Sequence, residues 1–317
     1  MDVLSIGETM VLFSPKTNGQ LRYATDFSAR IAGAETNTLI GLTKLGHKTS
    51  WISRVGKDEL GAKIVNAVRG EGVDTAYVKR DLGAPTGLFL KEETTAETTS
   101  VFYYRKGSAA SKMKPTDIED VNLSDVRYFY LTGITPALSK SCEETVFAII
   151  HKAIEARIPI VFDPNIRKKL LDDDGGIDLI KQLIGLSDIV LPGKGEGAFL
   201  FGTSNDVEIA ECCKKLGATT VVIKLGEAGA YYEKEQESGY VAPFHVPHVV
   251  DPIGAGDGFA AGLLSGLLDE LTLEESVRRA CAIGALVTQV NGDIEGLPTR
   301  EQLQTYMEAK EHDDVVR

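Results

Sequence analysis

Asp251-Pro252-Ile253-Gly254-Ala255-Gly256-Asp257 leads straight into Gly258-Phe259-Ala260-Ala261-Gly262, a stretch of small and apolar residues that reads as the start of a buried helix. Gly254, Ala255 and Gly256 carry too little side chain to cover the backbone amides of 254–257, and the helix behind them points the positive end of its dipole the same way. An oxyanion held there needs no lysine. Asp257 stands in the middle of this cradle, where a carboxylate repels any bound phosphate. Its presence makes chemical sense as a base that takes the proton of an acceptor hydroxyl while hydrogen-bond donors and metal ions hold the phosphoryl group in transfer. The bland alternative is an acidic residue in an ordinary first helical turn. Two carboxylates, Asp251 and Asp257, around Gly-Ala-Gly argue against it.

Around this run the chain alternates short β-rich segments with amphipathic ones. Val3 to Ile6, Thr49 to Ser53, Tyr128 to Leu131, Ile158 to Phe162, Ile189 to Leu191 and Thr219 to Lys224 predict strands; Glu59 to Val68, Glu143 to Ala156, Ile177 to Leu186 and Val207 to Leu216 predict helices. Such order calls for an α/β fold with a mainly parallel central sheet flanked by helices on both faces. Residues 9–31 and 86–105 break the alternation. They are rich in Thr, Tyr, Phe and charged residues, as expected of exposed antiparallel strands, and they predict a small β-sheet lid. The chain reads as one domain over 1–317, and the acidic tail after Glu308 reads as frayed.

Bulk properties set further bounds. With 317 residues and 43% hydrophobic content the chain can bury a large core. A net charge of −12 argues against nucleic acid and anionic membrane as partners and leaves small anionic ligands open. The N-terminus has no basic region before its apolar residues and no run approaches a membrane span, so a cytoplasmic location is expected. Cys142, Cys212, Cys213 and Cys281 lack Cys-x-x-Cys spacing, suggest neither a zinc site nor a disulfide framework, and read as buried thiols.

The run at 251–257 resembles the signature of the ribokinase-like (PfkB) carbohydrate kinases, Asp-Thr-x-Gly-Ala-Gly-Asp, and the resemblance extends from Ser5 to Leu303. It implies Asp257 as catalytic base, Gly254, Ala255 and Gly256 as anion hole, and ATP and Mg²⁺ as cofactors. Pro252 replaces the usual threonine beside a loop that in many relatives helps hold a monovalent cation, so potassium dependence stays undecided. Ala32-Gly33-Ala34-Glu35-Thr36-Asn37 corresponds to the family's sugar-binding segment: Gly33 lets a substrate approach the backbone, and Asn37 offers an amide donor and acceptor to hydroxyl groups. Lys224-Leu225-Gly226-Glu227-Ala228-Gly229 corresponds to its ATP loop, with Asn165 on the same rim and Cys281 to Ala285, Ala282 and Ala285 among them, along the adenine. In Leu191-Pro192-Gly193-Lys194-Gly195-Glu196, Gly193 replaces the family's asparagine and Glu196 keeps the glutamate that organises Mg²⁺ through water.

Two arginines bear on the sugar. Tyr103-Tyr104-Arg105 closes the second lid segment, and Asp163-Pro164-Asn165-Ile166-Arg167 follows a core strand on the rim where ligands of such sheets bind. A guanidinium pair near one sugar pocket points to a substrate with a carboxylate, although one arginine could instead serve ATP. Together with Gly292-Asp293-x-Glu295-Gly296-Leu297-Pro298, these runs are similar to those of 2-keto-3-deoxygluconate kinases in particular. That likeness implies Gly33, Ala34, Asn37, Tyr104, Arg105, Arg167 and Asp293 as sugar contacts. A fructokinase or ribokinase acting on a neutral sugar remains the nearer alternative, and a non-catalytic sugar or nucleotide sensor the farther one. An exposed lid edge also offers pairing to a second copy, so a homo-oligomer stays open.

Other spacings lead nowhere. In Gly41-Leu42-Thr43-Lys44-Leu45-Gly46-His47-Lys48-Thr49, His47 separates glycine from lysine and the run ends a helix, which rules out a phosphate loop of the Gly-Lys-Thr kind. His245 and His248 sit in a strand-like stretch whose three-residue spacing puts them on opposite faces.

Overall fold

The strands that read as near-continuous apolar runs assemble into one large sheet. In the computed structural model, which describes residues 1–95, 98–171 and 174–315, these are β1 (Val3–Ile6), β4 (Thr49–Gly56), β8 (Tyr128–Thr132), β9 (Ile160–Asp163), β10 (Ile189–Val190) and β11 (Thr220–Lys224). They pair in parallel, and β5 (Val78–Asp81) joins the β4 edge in parallel as well. At the other edge a hairpin that the alternation of segments does not disclose, β12 (Ala230–Lys234) and β13 (Glu237–Val241), adds two antiparallel strands. The sheet order is β13-β12-β11-β10-β9-β8-β1-β4-β5.

Both faces of this sheet are covered, so alternate residues of one strand feed two different cores. Val3, Trp51, Tyr130, Val161 and Val222 face the core shared with α1 (Ala34–Lys44), α2 (Glu59–Gly70), α7 (Ala255–Leu268) and α8 (Leu273–Val287). Leu4, Ile52, Phe129, Ile160 and Val221 face the core shared with α3 (Lys140–Glu155), α4 (Asp174–Gly185) and α6 (Asp206–Leu216). The helices start where short polar side chains occupy their orphan amides: Asp58 caps α2, Ser139 caps α3 and Thr272 with Glu275 boxes α8. The last helix, α9 (Arg300–Val315), carries the backbone past Glu308, where the sequence reads as frayed. Among the described residues no helix is long and apolar enough to cross a membrane.

The lid forms a separate sheet of order β3-β2-β6-β7, from β2 (Met10–Pro15), β3 (Phe27–Ala32), β6 (Leu88–Thr95) and β7 (Thr98–Tyr104). Residues 96 and 97 of the expected lid and 316–317 of the tail lie outside the described residues. One expectation needs correction: β2 and β6 pair in parallel. Each comes from a separate excursion rather than one hairpin, so no tight turn forces them into opposite directions. Nor is the lid exposed throughout, since Met10, Val11 and Leu12 are buried.

The packing of α7 depends on having almost no side chain along one line. A Cβ on Gly262 would lie 2.6 Å from the Ala280 Cα of α8, and one on Gly266 would lie 2.6 Å from the Ser276 Cα. On another side of α7, a Cβ on Gly41 of α1 would lie 2.9 Å from the Ala261 Cβ. Two helices approach α7 almost backbone to backbone, and this fixes the first turn of α7 relative to the start of α1.

Candidate active site

One helical turn before the Gly41–Ala261 contact, Asn37 and Asp257 face each other. Asn37 Nδ2 donates to Asp257 Oδ2 at 2.8 Å and to Asp293 Oδ2 at 3.4 Å, and Asn165 Nδ2 reaches Asp257 Oδ1 at 3.4 Å. Asn37 Oδ1 is buried with no partner. A buried amide oxygen left unpaired is costly in a resting fold and is the acceptor that a ligand hydroxyl would satisfy. Burial pushes the Asp257 pKa up to about 7, with Asn37 holding it down and Asp163 and Asp293 adding to the rise. Asp293 is likewise pushed up, to about 6, by burial, with Asn37 opposing and Asp251 adding.

Gly254 precedes α7 with φ +81°, a left-handed turn that glycine adopts without strain, and it directs the chain so that the helix opens onto Asp257. The Ala255 amide is spent on Pro252 O at 3.4 Å, while the first-turn amides of Gly256 and Asp257 have no acceptor within the helix. Lys224, expected in the ATP loop, stands at the edge of this cradle. A Cβ on Gly256 would meet only Lys224 Nζ, at 3.9 Å, so an ammonium stands at its edge and the space above it is open. Lys224 Nζ donates to both oxygens of Asp163, at 2.8 and 2.6 Å. Burial pulls the Lys224 pKa down, Asp163 and Glu196 outweigh it, and the lysine stays charged. Asp251 turns toward the lid, with Oδ1 accepting from the Ile253 amide and Oδ2 facing Lys91.

On the side where the sugar is expected, Gly33 caps α1 in an extended conformation and Ala34 begins it, with Thr36 and Thr9 hydroxyls 2.8 Å apart alongside. Arg105 is brought to this region but arrives already paired. Its Nε and Nη2 lie 2.7 and 2.5 Å from Glu8 Oε2, and Ser108 donates to the other Glu8 oxygen at 2.7 Å. Glu8 follows β1 directly, and a lone acid after Ile-Gly gives no sequence signal. Glu35 is equally unannounced: it is buried under the same floor, accepts from Thr132 and Thr135 at 2.7 and 3.2 Å, and burial raises its pKa. Tyr104 is exposed at the lid edge, and Arg105 lies 5.6 Å from the ring of Tyr103. Arg167 is exposed after β9, close enough to Asp257 to lower its pKa.

On the side where the nucleotide is expected, Gly226 and Gly229 have φ +62° and +87° and form the turn after β11. A Cβ at Gly229 would run into the Val241 carbonyl of β13, which accounts for glycine there. Ala282 does not line an open surface as expected, because it is fully buried in the core; Gly284 and Ala285 are the accessible residues of that segment. Glu196 uses both oxygens on backbone, accepting from Ile166 at 2.7 Å and from Gly193 at 2.6 Å, and so ties the loop after β9 to the start of α5 (Lys194–Phe201). Among the described residues no cluster of three His, Cys, Asp or Glu could hold a metal. His245 and His248 lie in irregular, exposed chain rather than a strand.

A mostly parallel sheet whose strand ends face an open helix N-terminus, with a buried carboxylate at its lip and a second sheet as roof, defines a phosphotransferase of the ribokinase-like fold. The chain belongs to the pfkB family of carbohydrate kinases, whose family model matches residues 1–300. It is 39% identical to the 2-dehydro-3-deoxygluconokinase of Bacillus subtilis (strain 168), over 98% of this chain and 96% of that one. Among solved structures, a PfkB protein from Polaromonas sp. JS666 is 40% identical and superposes with a TM-score of 0.87 over 96% of this chain and 99% of its own. A protein described as a ribokinase II from E. coli, solved with ATP and Mg²⁺, superposes with a TM-score of 0.89 at 25% identity, over 97% of this chain and 99% of its own.

Proposed function

We propose that this carbohydrate kinase transfers the γ-phosphoryl group of Mg²⁺-ATP to the terminal hydroxyl of 2-keto-3-deoxygluconate, giving 2-keto-3-deoxy-6-phosphogluconate. The observation that carries the reading is the Asn37–Asp257 pair at the mouth of α7: a base with a pKa near neutrality, beside open amides, with an unpaired amide oxygen waiting for a hydroxyl. The choice of substrate rests on the 2-dehydro-3-deoxygluconokinase of Bacillus subtilis and on the two arginines at the sugar side.

Mg²⁺-ATP supplies the electrophilic phosphorus and spreads the charge that develops on its oxygens. Gly256 and Asp257 amides with Lys224 receive the phosphate; Gly226 and Gly229 shape the turn beneath it, and Gly284 and Ala285 border the base. A metal here would be held by phosphate oxygens and water, with Asp163 and Glu196 near, since no cluster of three His, Cys, Asp or Glu stands among the described residues. Gly33, Ala34, Asn37 and Asp293 seat the sugar, Tyr104, Arg105 and Arg167 face its acid end, and Asp257 takes the proton of the attacking hydroxyl. The lid excludes water that would otherwise compete for the phosphoryl group.

One observation favours a second reading. Arg105 already pairs with Glu8, so a substrate carboxylate must share the guanidinium, whereas a neutral sugar need not. ADP release from Mg²⁺-ATP, measured with 2-keto-3-deoxygluconate, gluconate, fructose, ribose and no sugar, decides between them. Turnover with the keto-deoxy acid alone is expected; a preference for fructose or ribose replaces the substrate, and no turnover with any of them sinks the reading.

A further inference from the structure

Lys91 and Asp251 form an ion pair that phosphoryl transfer, as described, does not use. Lys91 belongs to lid strand β6, and Asp251 opens the turn into α7; Nζ and Oδ2 are 3.4 Å apart, with side chains only 10% and 9% exposed. The other Asp251 oxygen accepts from the Ile253 amide at 3.1 Å, so one carboxylate is gripped by the lid and shapes the turn at once. The turn is also anchored from behind, where the amides of Val250 and Asp251 donate to Thr288 O, at the end of α8, at 2.8 and 3.2 Å. Three residues beyond Asp251 stands Gly254, after which the amides of the anion hole begin. A carboxylate buried this deeply needs a countercharge to stay in place, and removing one partner of such a pair costs far more than breaking a surface bridge. Lys91 also faces Asp293 and lowers its pKa against burial and Asp251, which raise it. A polar cavity of about 120 Å³ lies against this pair, lined by Ser14, Ser28, Asn291 and Asp293 among others.

A second lid cation makes the contrast. Arg30 of β3 donates to Asn291 O and Oδ1 at 3.2 and 3.1 Å and lies 3.4 Å from Glu295, but its side chain is 40% exposed. Solvent screens that link, which is worth little.

We propose that Lys91 is a positioning residue for phosphoryl transfer: from the lid it holds Asp251, and through the 251–254 turn it sets the amides that receive the phosphate. Seating the lid over the sugar and shaping the anion hole are then one event. The inference rests on the reading of 254–257 as the phosphate site. It is tested with Lys91→Met, Lys91→Arg, Lys91→Ala and the control Arg30→Gln, by steady-state kinetics and by hydrogen exchange at the amides of 252–257.

Lys91→Met is expected to lower kcat about 10- to 100-fold, the effect of misplacing a reacting group by a fraction of its contact distance, with KM for the sugar nearly unchanged. Lys91→Arg should recover most of the rate, added methylammonium should partly restore Lys91→Ala, and Arg30→Gln should match the parent. Exchange at 252–257 should quicken in Lys91→Met while β8 and α3 stay protected, which separates loosening of the turn from unfolding. A parental kcat in Lys91→Met, or unchanged exchange at 252–257, overturns the proposal. If the parent phosphorylates none of the sugars offered, the reading of the site fails, and the exchange comparison alone still decides whether Lys91 holds the turn.

Discussion

A carboxylate acts as a base only after losing its proton, and burial pushes the Asp257 pKa to about 7 against the opposing donation of Asn37. The rate of phosphorylation, as kcat/KM, should therefore rise about tenfold per pH unit below about 7 and level off above it. Asn37→Ala removes the donor at 2.8 Å, so this limb should move to higher pH as the rate falls. Asp257→Asn should abolish the limb and lower kcat by at least about 10²-fold. The same ionisation acts on stability. The folded pKa lies above that of an unfolded aspartate, about 4, so the contribution of Asp257 is complete below that value and is lost as pH rises through about 7. At pH 8 the protein carries a buried charge that Asp257→Asn lacks, and the variant should melt higher, with the gap narrowing toward pH 5. A pH-rate profile and melting curves of the two proteins check both claims; equal melting at pH 8 would remove the burial argument, and an intact limb in Asp257→Asn would remove the base.

That pair meets because of how three helices pack. Gly262→Ala places a methyl 2.6 Å from the backbone of Ala280, an atom that cannot rotate away, so α8 must shift from α7. The expected cost is about 1–3 kcal/mol, typical of overpacking a tight core. Gly41→Ala places a methyl 2.9 Å from the Ala261 Cβ, which moves only with the α7 backbone, while Leu297 can yield; the resulting shift of α1 against α7 falls one turn from Asn37 and Asp257, so its effect should fall on function more than on folding. Displacing Asn37 from Asp257 should lower kcat more than it raises KM, and a Gly41→Ala protein with parental kcat and the melting point of Gly262→Ala would contradict this division. Elements of this kind were legible in the sequence to different degrees. The parallel strands stood out because burial on both faces leaves unbroken apolar runs, and the helices because burial on one face leaves a stripe. The β12–β13 hairpin did not, since an edge strand such as Glu237–Val241 is mostly exposed and carries no such run. Of the site, the run at 251–257 was legible because its small residues at fixed spacing stand out, and the structure places Gly254 in a left-handed turn at the mouth of α7. Glu8, Glu35 and Lys91 were not, because a single charge in a lid strand or after a glycine looks the same whether it is solvated or buried against a partner far along the chain.

At the scale of the whole molecule, the sheet order decides where those partners can meet. Strands β4 and β5 extend to one side of β1 and β8 to β11 to the other, so connections leave in opposite directions between β1 and β8 and open a crevice at their carboxyl ends. Glu8 follows β1, Thr132 ends β8, Asp163 ends β9 with Asn165 and Arg167 just after it, Glu196 follows β10 and Lys224 ends β11. The groups proposed to hold the sugar therefore gather at β1 and β8 beneath the lid, and those proposed to hold the nucleotide at β10 and β11 beside α7 and α8. Two ligands bound at the two ends of one crevice should leave separate footprints in hydrogen exchange. A magnesium-nucleotide complex alone is expected to slow exchange at 224–229 and 252–257 while leaving 88–92 and 100–105 near their free rates. The keto-deoxy acid alone should slow the two lid segments, and both ligands together should protect the lid more than the acid does, because a lid joined to the 251–254 turn through Lys91 responds to what occupies the anion hole. Protection of 224–229 by the acid alone would reverse the assignment of the two ends, and lid protection indifferent to nucleotide would leave the two sites uncoupled.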